Sequence, residues 1–274
     1  MRLGFIARID EETFRFASET GFDGLEIMAG KWEGQGDDPT ADAAHHAMEL
    51  LTRFGLKALT VQWAEDYCAL EDPVKRLREF VAFAEVLDTR ILTVNAWIPA
   101  GASVDEQFGY YKKLWTEFAK VVEDAGVRLL IENCPHGGRN LGHSTASFRR
   151  MFELVPSEAI GIEFDPSHYV FQFMDYAAAI REFGARIQHA VHAKDTQIMK
   201  DRLDVVGLYG DQYLGERWWR FRMPGYGDVD WHAFFVALSD ISYEGDVIIE
   251  HEDPTFGGQD GLRRGHKFLR NYVF

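Results

Sequence analysis

The chain has 274 residues, of which 46% are hydrophobic and 14% aromatic, so it can bury a large core and intrinsic disorder is excluded. Its formal net charge of −15 repels phosphate groups, which makes nucleic acid and anionic membranes poor partners. The sequence shows no signal peptide and no apolar run of membrane-spanning length, so we expect a cytoplasmic protein.

Short apolar runs alternate with amphipathic segments through the first half of the chain. Strands are predicted at residues 3–7, 24–28, 57–62 and 91–95. Each is followed by a predicted helix, at residues 10–20, 40–54, 72–87 and 104–124. The predicted helices carry capping signals at their ends. A glycine follows three of the four helices, and Asp72-Pro73 begins the remaining one, with Asp72 as the cap and proline at the first helical position.

The second half of the chain repeats this alternation. Strands are predicted at residues 128–132, 160–165, 187–192 and 247–250, with helices near 145–154, 176–183, 231–239 and 260–272. Eight strand–helix units without a linker predict one (β/α)8 barrel domain over residues 1–274, with its active site at the C-terminal strand ends. A doubly wound open sheet is the alternative, but no GxGxxG motif follows the first strand.

A long loop after the seventh strand departs from the regular spacing. It runs from residue 196 to residue 228 and is rich in aromatic residues and arginine, which argues against disorder. Loops of this length inside a compact domain are usually functional, so we predict a lid over the barrel mouth. In the alternative interpretation, Trp218, Trp219 and Phe221 pack against a partner subunit.

Four strands of the second half end in residues that bind hard cations: Glu132, Asp165, His192 and Glu250. Because C-terminal strand ends line the active sites of such barrels, these side chains predict one divalent metal site. Three carboxylates and an imidazole suit Mn²⁺ or Mg²⁺, while Zn²⁺ and Co²⁺ are alternatives. In the competing interpretation, these four residues are unrelated polar strand ends that face solvent. Side chains alternate between the two faces of a strand, so Glu163 shares a face with Asp165, and Glu252 shares a face with Glu250. Alternation alone therefore does not decide which member of each pair is the ligand.

Other polar and aromatic residues follow the predicted strand ends. His168 lies just beyond Asp165 and is either a group near the metal or a loop cap, and Lys194 either contacts substrate or pairs with Asp195 at the surface. Trp97 is a candidate for stacking on a substrate ring, together with Trp63 and with Asn95 as a hydrogen-bonding group, because aromatic faces pack on apolar ring surfaces. Packing at the barrel rim is the alternative for both tryptophans.

Five segments stand out: Ile131-Glu132-Asn133, Phe164-Asp165-Pro166-Ser167-His168, Val191-His192-Ala193-Lys194-Asp195, 222–231 and Ile249-Glu250-His251-Glu252-Asp253. Together they resemble the xylose-isomerase-like sugar isomerase and epimerase barrels, which are related to the ketose 3-epimerases. The resemblance runs through nearly the whole chain, including Gly-Phe-Asp-Gly-Leu-Glu at 21–26, and is strongest from Leu129 onward. It is specific for the superfamily and not for a substrate.

The resemblance implies a sugar isomerase or epimerase with a single divalent metal, Mn²⁺ favoured, held by Glu132, Asp165, His192 and Glu250. In the related ketose 3-epimerases, the glutamates matching Glu132 and Glu250 act on opposite faces of the sugar. One removes the proton beside the carbonyl and the other returns it, through an enediolate that the metal stabilises. The resemblance also implies a homo-oligomer, a dimer or a tetramer.

The resemblance assigns substrate contacts as well. The histidine matching His168 contacts the sugar near the reacting carbon, and an arginine downstream of the metal histidine holds a sugar oxygen. Arg222 is our candidate for that arginine, with Arg220 as the alternative.

Three further functions are weighed against the isomerase. A metal-dependent lyase or dehydratase acting on an oxidised sugar, inosose or glycoside would begin with the same proton removal. A DNA-repair endonuclease would need histidines at earlier strand ends, where the sequence has Ile27-Met28 and Val61-Gln62. A binding module without catalysis would give no reason for three buried carboxylates around one cation.

Overall fold

Eight parallel strands form a closed barrel in the computed structural model, which describes residues 1–31 and 36–273. The strands of the described chain are β1 (Leu3–Ala7), β2 (Gly24–Ala29), β3 (Lys57–Trp63), β4 (Ile91–Val94), β5 (Arg128–Glu132), β6 (Ile160–Glu163), β7 (Ala190–Ala193), β8 (Asp195–Ile198), β9 (Trp219–Arg222) and β10 (Asp246–Ile249). In the barrel, β1 to β6 are neighbours in sequence order, β10 lies beside β1, and β7 lies beside β10. A parallel bridge between Phe164 and Val191 closes the ring, which confirms the predicted (β/α)8 barrel.

Most of the helices surround the barrel on the side away from its axis, and two short ones lie at its mouth. The helices are α1 (Glu11–Thr20), α2 (Ala41–Phe54), α3 (Pro73–Val86), α4 (Val104–Ala125), α5 (Thr145–Leu154), α6 (Pro166–Val170), α7 (Tyr176–Glu182), α8 (Lys200–Val206), α9 (Gly210–Leu214), α10 (Trp231–Asp240) and α11 (Gly258–Leu269). Side-chain caps explain the starts of several helices: the Asp72 carboxylate accepts a hydrogen bond from Lys75 N, and Ser103 and Glu106 form a capping box. Gly21, with φ of 88°, ends α1 in a conformation that favours glycine.

The barrel interior changes from apolar to polar where the site lies. Leu59, Leu130, Ala190 and Ile248 form a small apolar cluster inside the ring. A bulge in β3 shifts the register between Leu25 and Glu26, so that Glu26 lies opposite Thr60 and its carboxylate accepts the Thr60 hydroxyl at 2.6 Å. Buried polar side chains therefore occupy the space beyond the apolar cluster.

The long segment after β7 contains regular structure that the sequence analysis did not predict. Strands β8 and β9 pair antiparallel, from Asp195 opposite Arg222 to Ile198 opposite Trp219, and carry α8 and α9 between them. We call this unit, residues 195–222, the lid ribbon. It lies at the barrel mouth as predicted, because Trp219 and Phe221 line a cavity together with Glu132 and Glu250.

Within the described ranges, no helix combines the length and the apolar character that crossing a bilayer requires.

Candidate metal centre

Three carboxylates from three different strands meet at the C-terminal end of the barrel. Glu132 is the last residue of β5, Asp165 caps α6 just after β6, and Glu250 follows β10. Ligating atoms of these three residues and of His168 all lie within 4.8 Å of one another. The structure thus brings together three of the four predicted metal ligands, and His168 lies with them as a side chain that could also hold a metal ion.

His192, the fourth predicted ligand, lies directly beneath this group. Its Nδ1 is 3.4 Å from Glu132 Oε1 and 3.3 Å from Glu250 Oε2. Its Nε2 faces the other way, 3.2 Å from Glu163 Oε2 and 3.5 Å from Glu26 Oε1. Nε2 makes no hydrogen bond to them within the described residues. A histidine with carboxylates beside one nitrogen and the other nitrogen turned to the ligand group nevertheless has the usual orientation of a histidine at a metal site.

Asp165 is held by backbone and side-chain contacts that leave one of its oxygens available. Asn133 exchanges two hydrogen bonds with the Asp165 backbone, at 2.7 and 2.9 Å, and Ser167 N donates to Asp165 Oδ1 at 2.8 Å. Asp165 Oδ2 is buried and accepts no hydrogen bond. Its nearest cationic neighbours are Lys194 Nζ at 3.3 Å and His168 Nε2 at 3.4 Å. A buried carboxylate oxygen without a hydrogen bond is costly, so this atom is suited to a cation. Together with the donor set of three carboxylates and an imidazole, it fits a hard divalent ion.

The two glutamates of the group are ionised despite their burial. Burial raises the pKa of Glu132, but hydrogen bonds from His168 and His192 outweigh it and hold that pKa well below its usual range. Burial likewise raises the pKa of Glu250, but the charges of Lys194 and His192 bring it to about 2. Both side chains are therefore carboxylates at neutral pH, the form that accepts a proton or binds a cation.

Lys194 lies inside the carboxylate group. Its ammonium is 1% exposed and lies 2.5 Å from Glu250 Oε2, 2.8 Å from Glu252 Oε2 and 3.3 Å from Asp165 Oδ2. The same nitrogen lies 4.3 Å from the centre of the Phe221 ring. The predicted surface pair with Asp195 is absent from the structure, because Asp195 is buried among backbone amides of the lid ribbon's base.

Two cavities meet at this group. The smaller chamber, about 320 Å³, is lined by Trp63, Asn95 and Trp97, and the larger chamber, about 780 Å³, by His168, Lys194 and aromatic residues of the lid ribbon. Both chambers are lined by Glu132, Glu250 and Glu252. The structure therefore places His168, Lys194 and Trp97, the predicted substrate contacts of the strand ends, on the walls of cavities that border the carboxylates.

Arg222 is not placed with the other predicted residues. Its Nε donates to Asp253 Oδ2 at 2.9 Å and its Nη1 to Gln197 at 3.2 Å, and it lines neither chamber. Arg220 donates to the same Gln197 side chain. The arginine of this segment that lines the larger chamber is Arg217, whose guanidinium lies 5.1 Å from the Trp219 ring centre. Which residues of a long ribbon pair with each other cannot be read from the sequence alone. The sequence analysis therefore did not identify Arg217 as a residue that lines the chamber.

Two acids lie beneath the site: Glu163, which the sequence analysis left open as an alternative to Asp165, and Glu26, which it did not single out. Glu26 and Glu163 are fully buried and flank His192 Nε2. Burial and the neighbouring Glu26 charge raise the pKa of Glu163 well above its usual range. A signal was available, because a glutamate in the middle of an apolar strand, as in Gly24-Leu25-Glu26-Ile27, needs a buried partner.

Fold and site together define a (β/α)8 barrel with a cluster of metal-ligating side chains at its C-terminal mouth. The model of the xylose isomerase-like TIM barrel family matches residues 14–272, and the chain belongs to that family. Inosose dehydratase of Clostridium perfringens is 29% identical over 137 residues, which are 49% of this chain and 44% of that protein. The chain spans about half the length of the curated relatives that it matches.

Solved structures share the whole fold. A D-tagatose 3-epimerase-like protein superposes with a TM-score of 0.78 at 19% identity, covering 100% of this chain and 97% of the other. The 3-keto-D-glucoside 4-epimerase YcjR of E. coli superposes with a TM-score of 0.73 at 18% identity, covering 99% of each chain. At such identities the likeness establishes the barrel and not the reaction.

Proposed function

We propose that the protein is a divalent-metal-dependent isomerase or epimerase of keto-sugars. The observation that carries this proposal is the position of Glu132 and Glu250, two ionised carboxylates that border both chambers and lie within 4.8 Å of each other. Paired carboxylates on either side of one substrate carbon can remove a proton and return it on the opposite face.

Glu132, Asp165, His192 and Glu250 would hold the cation, and Mn²⁺ is our preferred ion. When bound, a divalent cation draws electron density from the substrate carbonyl and so lowers the pKa of the adjacent C–H group. His168 is within reach of the same substrate atoms, because its Nε2 lies 3.1 Å from Glu132 Oε1. Trp97 and Trp63 would offer apolar surface to the sugar ring in the smaller chamber.

Lys194 favours a second candidate function, a dehydratase or lyase. Its buried ammonium adds a third proton-transferring group beside the glutamate pair, at 2.5 Å from Glu250. Elimination needs a base for the C–H proton and an acid placed to protonate the departing oxygen, and Lys194 offers such an acid in addition to the glutamate pair. The similarity to an inosose dehydratase over about half of the chain supports the same candidate.

Proton NMR in D₂O tests the proposal. The Mn²⁺-loaded protein is incubated with a panel of ketoses and 3-keto-sugars, and we expect deuterium to enter at the carbon beside the carbonyl. Glu132→Gln and Glu250→Gln should each slow this exchange by roughly 10²- to 10⁴-fold, because each removes one proton-transfer group. A stereoisomer as product indicates epimerisation, and loss of water or of an alcohol indicates elimination.

Glu117→Gln is the matched control, since this exposed side chain on α4 lies outside both chambers. Exchange in Glu132→Gln at the wild-type rate, or no exchange with any sugar of the panel, would contradict the proposal. The expected homo-oligomer and cytoplasmic location remain predictions, which sedimentation and cell fractionation would test.

A further inference from the structure

Three polar side chains inside the barrel leave buried atoms without hydrogen bonds. Glu26, Glu163 and His192 are all 0% exposed, and we call them the inner cluster. Both carboxylate oxygens of Glu163 and the Nε2 atom of His192 lack a hydrogen bond within the described residues. Across those residues, neither glutamate has a lysine or arginine nitrogen within 4.0 Å, and His192 Nε2 lies beside both. Such atoms are costly to bury, so something must offset that cost.

The facing atoms are spaced like the ligands of a single metal ion. Ligating atoms of the inner cluster all lie within 4.8 Å of one another. His192 Nε2 is 3.2 Å from Glu163 Oε2 and 3.5 Å from Glu26 Oε1. Bonds of about 2.1 Å to one ion place neighbouring ligand atoms roughly 3.0–3.4 Å apart, depending on the coordination geometry. An ion between these atoms therefore needs only small side-chain shifts.

The charge and the donor set of the inner cluster suit a divalent transition-metal ion. Its two carboxylates bring two negative charges, which one divalent cation neutralises. An imidazole nitrogen among the ligands favours Zn²⁺ over Mg²⁺ and Ca²⁺, which prefer oxygen ligands. The hydroxyls of Thr60 and Thr93 donate to Glu26 at 2.6 and 3.3 Å, so this carboxylate is held in place as metal ligands usually are.

We propose that the inner cluster binds a second divalent cation, Zn²⁺, beneath the candidate metal centre. Glu26 belongs to β2 and Glu163 to β6, and neither is a member of the outer group of Glu132, Asp165 and Glu250. The inner ion has a structural role, so the proposal goes beyond the proposed function and does not depend on the sugar reaction.

One imidazole joins the two sites. His192 Nδ1 faces Glu132 and Glu250, while its Nε2 faces the inner cluster. A neutral imidazole carries one proton, and this proton leaves Nε2 for solvent when the inner ion binds there and Nδ1 holds the outer ion. No electrons are transferred in this step.

The inner ion links strands that few backbone contacts join. A single bridge, between Phe164 and Val191, joins β6 to β7, whereas β5 and β6 pair along four residues. Glu163 lies on β6 and His192 on β7, so an ion bound to both reinforces this seam of the ring. Glu26 adds β2, which lies across the barrel from β6.

An ion in this position has no open path to solvent. The three ligands are fully buried, and none of them lines either chamber at the barrel mouth. Release of the ion therefore requires the barrel to open, which is rare in the folded state. Retention in the presence of a chelator is the expected signature of the inner site.

Metal counting on the full chain tests the inference. The protein is unfolded in urea with EDTA, refolded in Zn²⁺ buffer, freed of unbound ion by gel filtration and measured by plasma mass spectrometry. We expect two ions per chain. EDTA should remove one of them quickly, and the other should leave only when urea unfolds the protein.

Variants assign the retained ion to its ligands. Glu163→Gln and Glu26→Gln should each hold one ion that EDTA removes completely, because each loses a charged ligand with little change in size. Asp165→Asn should keep the retained ion and lose the other. Glu65→Gln is the matched control, since Glu65 is also a buried glutamate but belongs to neither metal group, and it should keep both ions.

Two results would overturn the inference. One is a wild-type protein that EDTA strips of all metal, which would show that a proton or a water molecule fills the inner cluster. The other is a retained ion that persists in both Glu163→Gln and Glu26→Gln.

X-ray absorption of the ion that wild type retains decides the question if both variants fail to fold. We expect imidazole nitrogen and carboxylate oxygen at about 2.0–2.2 Å, and a sulfur ligand would refute the inner site.

The outcome is separable from that of the proposed function. Deuterium exchange into a sugar by a protein without a retained ion would keep the isomerase and refute the inner site. A retained ion without exchange into any sugar would do the reverse.

Discussion

An ion pair between Glu65 and Arg76 fixes the rim of the smaller chamber. Arg76 donates through Nε to Glu65 Oε2 at 2.9 Å and through Nη2 to Glu65 Oε1 at 2.5 Å, a bidentate geometry. Trp63 Nε1 donates to the same carboxylate at 3.0 Å. Since Trp63 also lines the chamber, this pair positions an aromatic wall of the proposed sugar site.

Stability should depend on pH through Glu65. Burial raises the pKa of this carboxyl, but Arg76 and Trp63 outweigh it and lower the pKa below the ordinary 4.5. A lowered pKa adds stability that is complete above pH 4.5 and is lost as the pH falls below that value. We expect Glu65→Gln to unfold more easily than the wild type near neutral pH, by about 1–3 kcal/mol.

Urea unfolding near pH 7 and near pH 3.5 measures the effect. The difference between wild type and Glu65→Gln should shrink at the lower pH, because the stability that the lowered pKa adds is lost progressively below pH 4.5. Glu79→Gln, which also removes a partner of Arg76 but a more exposed one, is the control and should change stability by less than about 1 kcal/mol. An equal difference at both pH values would contradict this account.

Individual residues differ in how far the sequence could identify them. Glu132, Asp165 and Glu250 were recognisable because each follows a short apolar strand, where a carboxylate needs a partner. Arg217 was not, because its position depends on the pairing of β8 with β9, and no local pattern sets that register. The metal and catalytic roles of the predicted residues stay predictions until metal binding and exchange are measured.

The lid ribbon is anchored at its base by one carboxylate. Asp195 accepts hydrogen bonds from the backbone N–H groups of Gly225, Gly227 and Val229 and from the Trp231 indole, at 2.9 to 3.1 Å. Gly227 has no room for a side chain, since a Cβ there would lie 2.4 Å from Asp195 Oδ1. The ribbon is thus joined through Asp195 to the turn that leads into α10.

Asp195→Ala should loosen the whole ribbon. It leaves several buried donors without an acceptor, so we expect a loss of about 3–5 kcal/mol in the free energy of unfolding. Limited proteolysis should cut within residues 199–218 faster than in the wild type. The KM for the sugar should rise with a smaller change in kcat, because the larger chamber loses its wall.

Asp201→Ala is the matched control, since this aspartate is exposed in the first turn of α8. It should leave stability within about 0.5 kcal/mol of the wild type. Proteolysis of Asp195→Ala at the wild-type rate would show that the ribbon is held by its aromatic stacks instead.

Helices and strands could be predicted from the sequence where a short, local pattern of residues marks them. Helix α5 was predicted at the residues where it is found, because its first and last turns carry local capping and apolar patterns. Strands β8 and β9 were not predicted, since each has four residues and Asp195 pairs with Arg222 far along the chain. Pairing over such a distance depends on tertiary contacts that a single sequence does not display.

The whole molecule carries an excess of negative charge, and part of it is concentrated at the barrel mouth. The chain has 44 acidic and 29 basic residues. Glu132, Asp165 and Glu250 gather within the site with Glu252 beside them, and Lys194 is the buried cation among them. Mutual repulsion of these carboxylates opposes folding, and a bound cation relieves it.

Removal of metal should therefore lower thermal stability. At a free Mn²⁺ concentration about 100-fold above Kd, binding to the folded state adds about 2.7 kcal/mol, which corresponds to a rise in Tm of roughly 5–10 °C over the EDTA-treated protein. Asp165→Asn should abolish most of this rise, while Glu117→Gln should retain it. A Tm that does not respond to Mn²⁺, Mg²⁺, Co²⁺ or Zn²⁺ would refute the metal site independently of any enzyme assay.

The pairing of β1 with β10 sets the order in which the protein can be completed during translation. Arg2 and Asp246, joined by a 2.7 Å ion pair, are 244 positions apart. At 5–20 residues per second, the ribosome needs roughly 12–50 s to bridge that distance. Until then β1 has an open edge that invites pairing with other nascent chains. Glu250 emerges directly after β10, so the carboxylate group is completed only as the ring closes. This edge of β1 is covered only after β10 has been made.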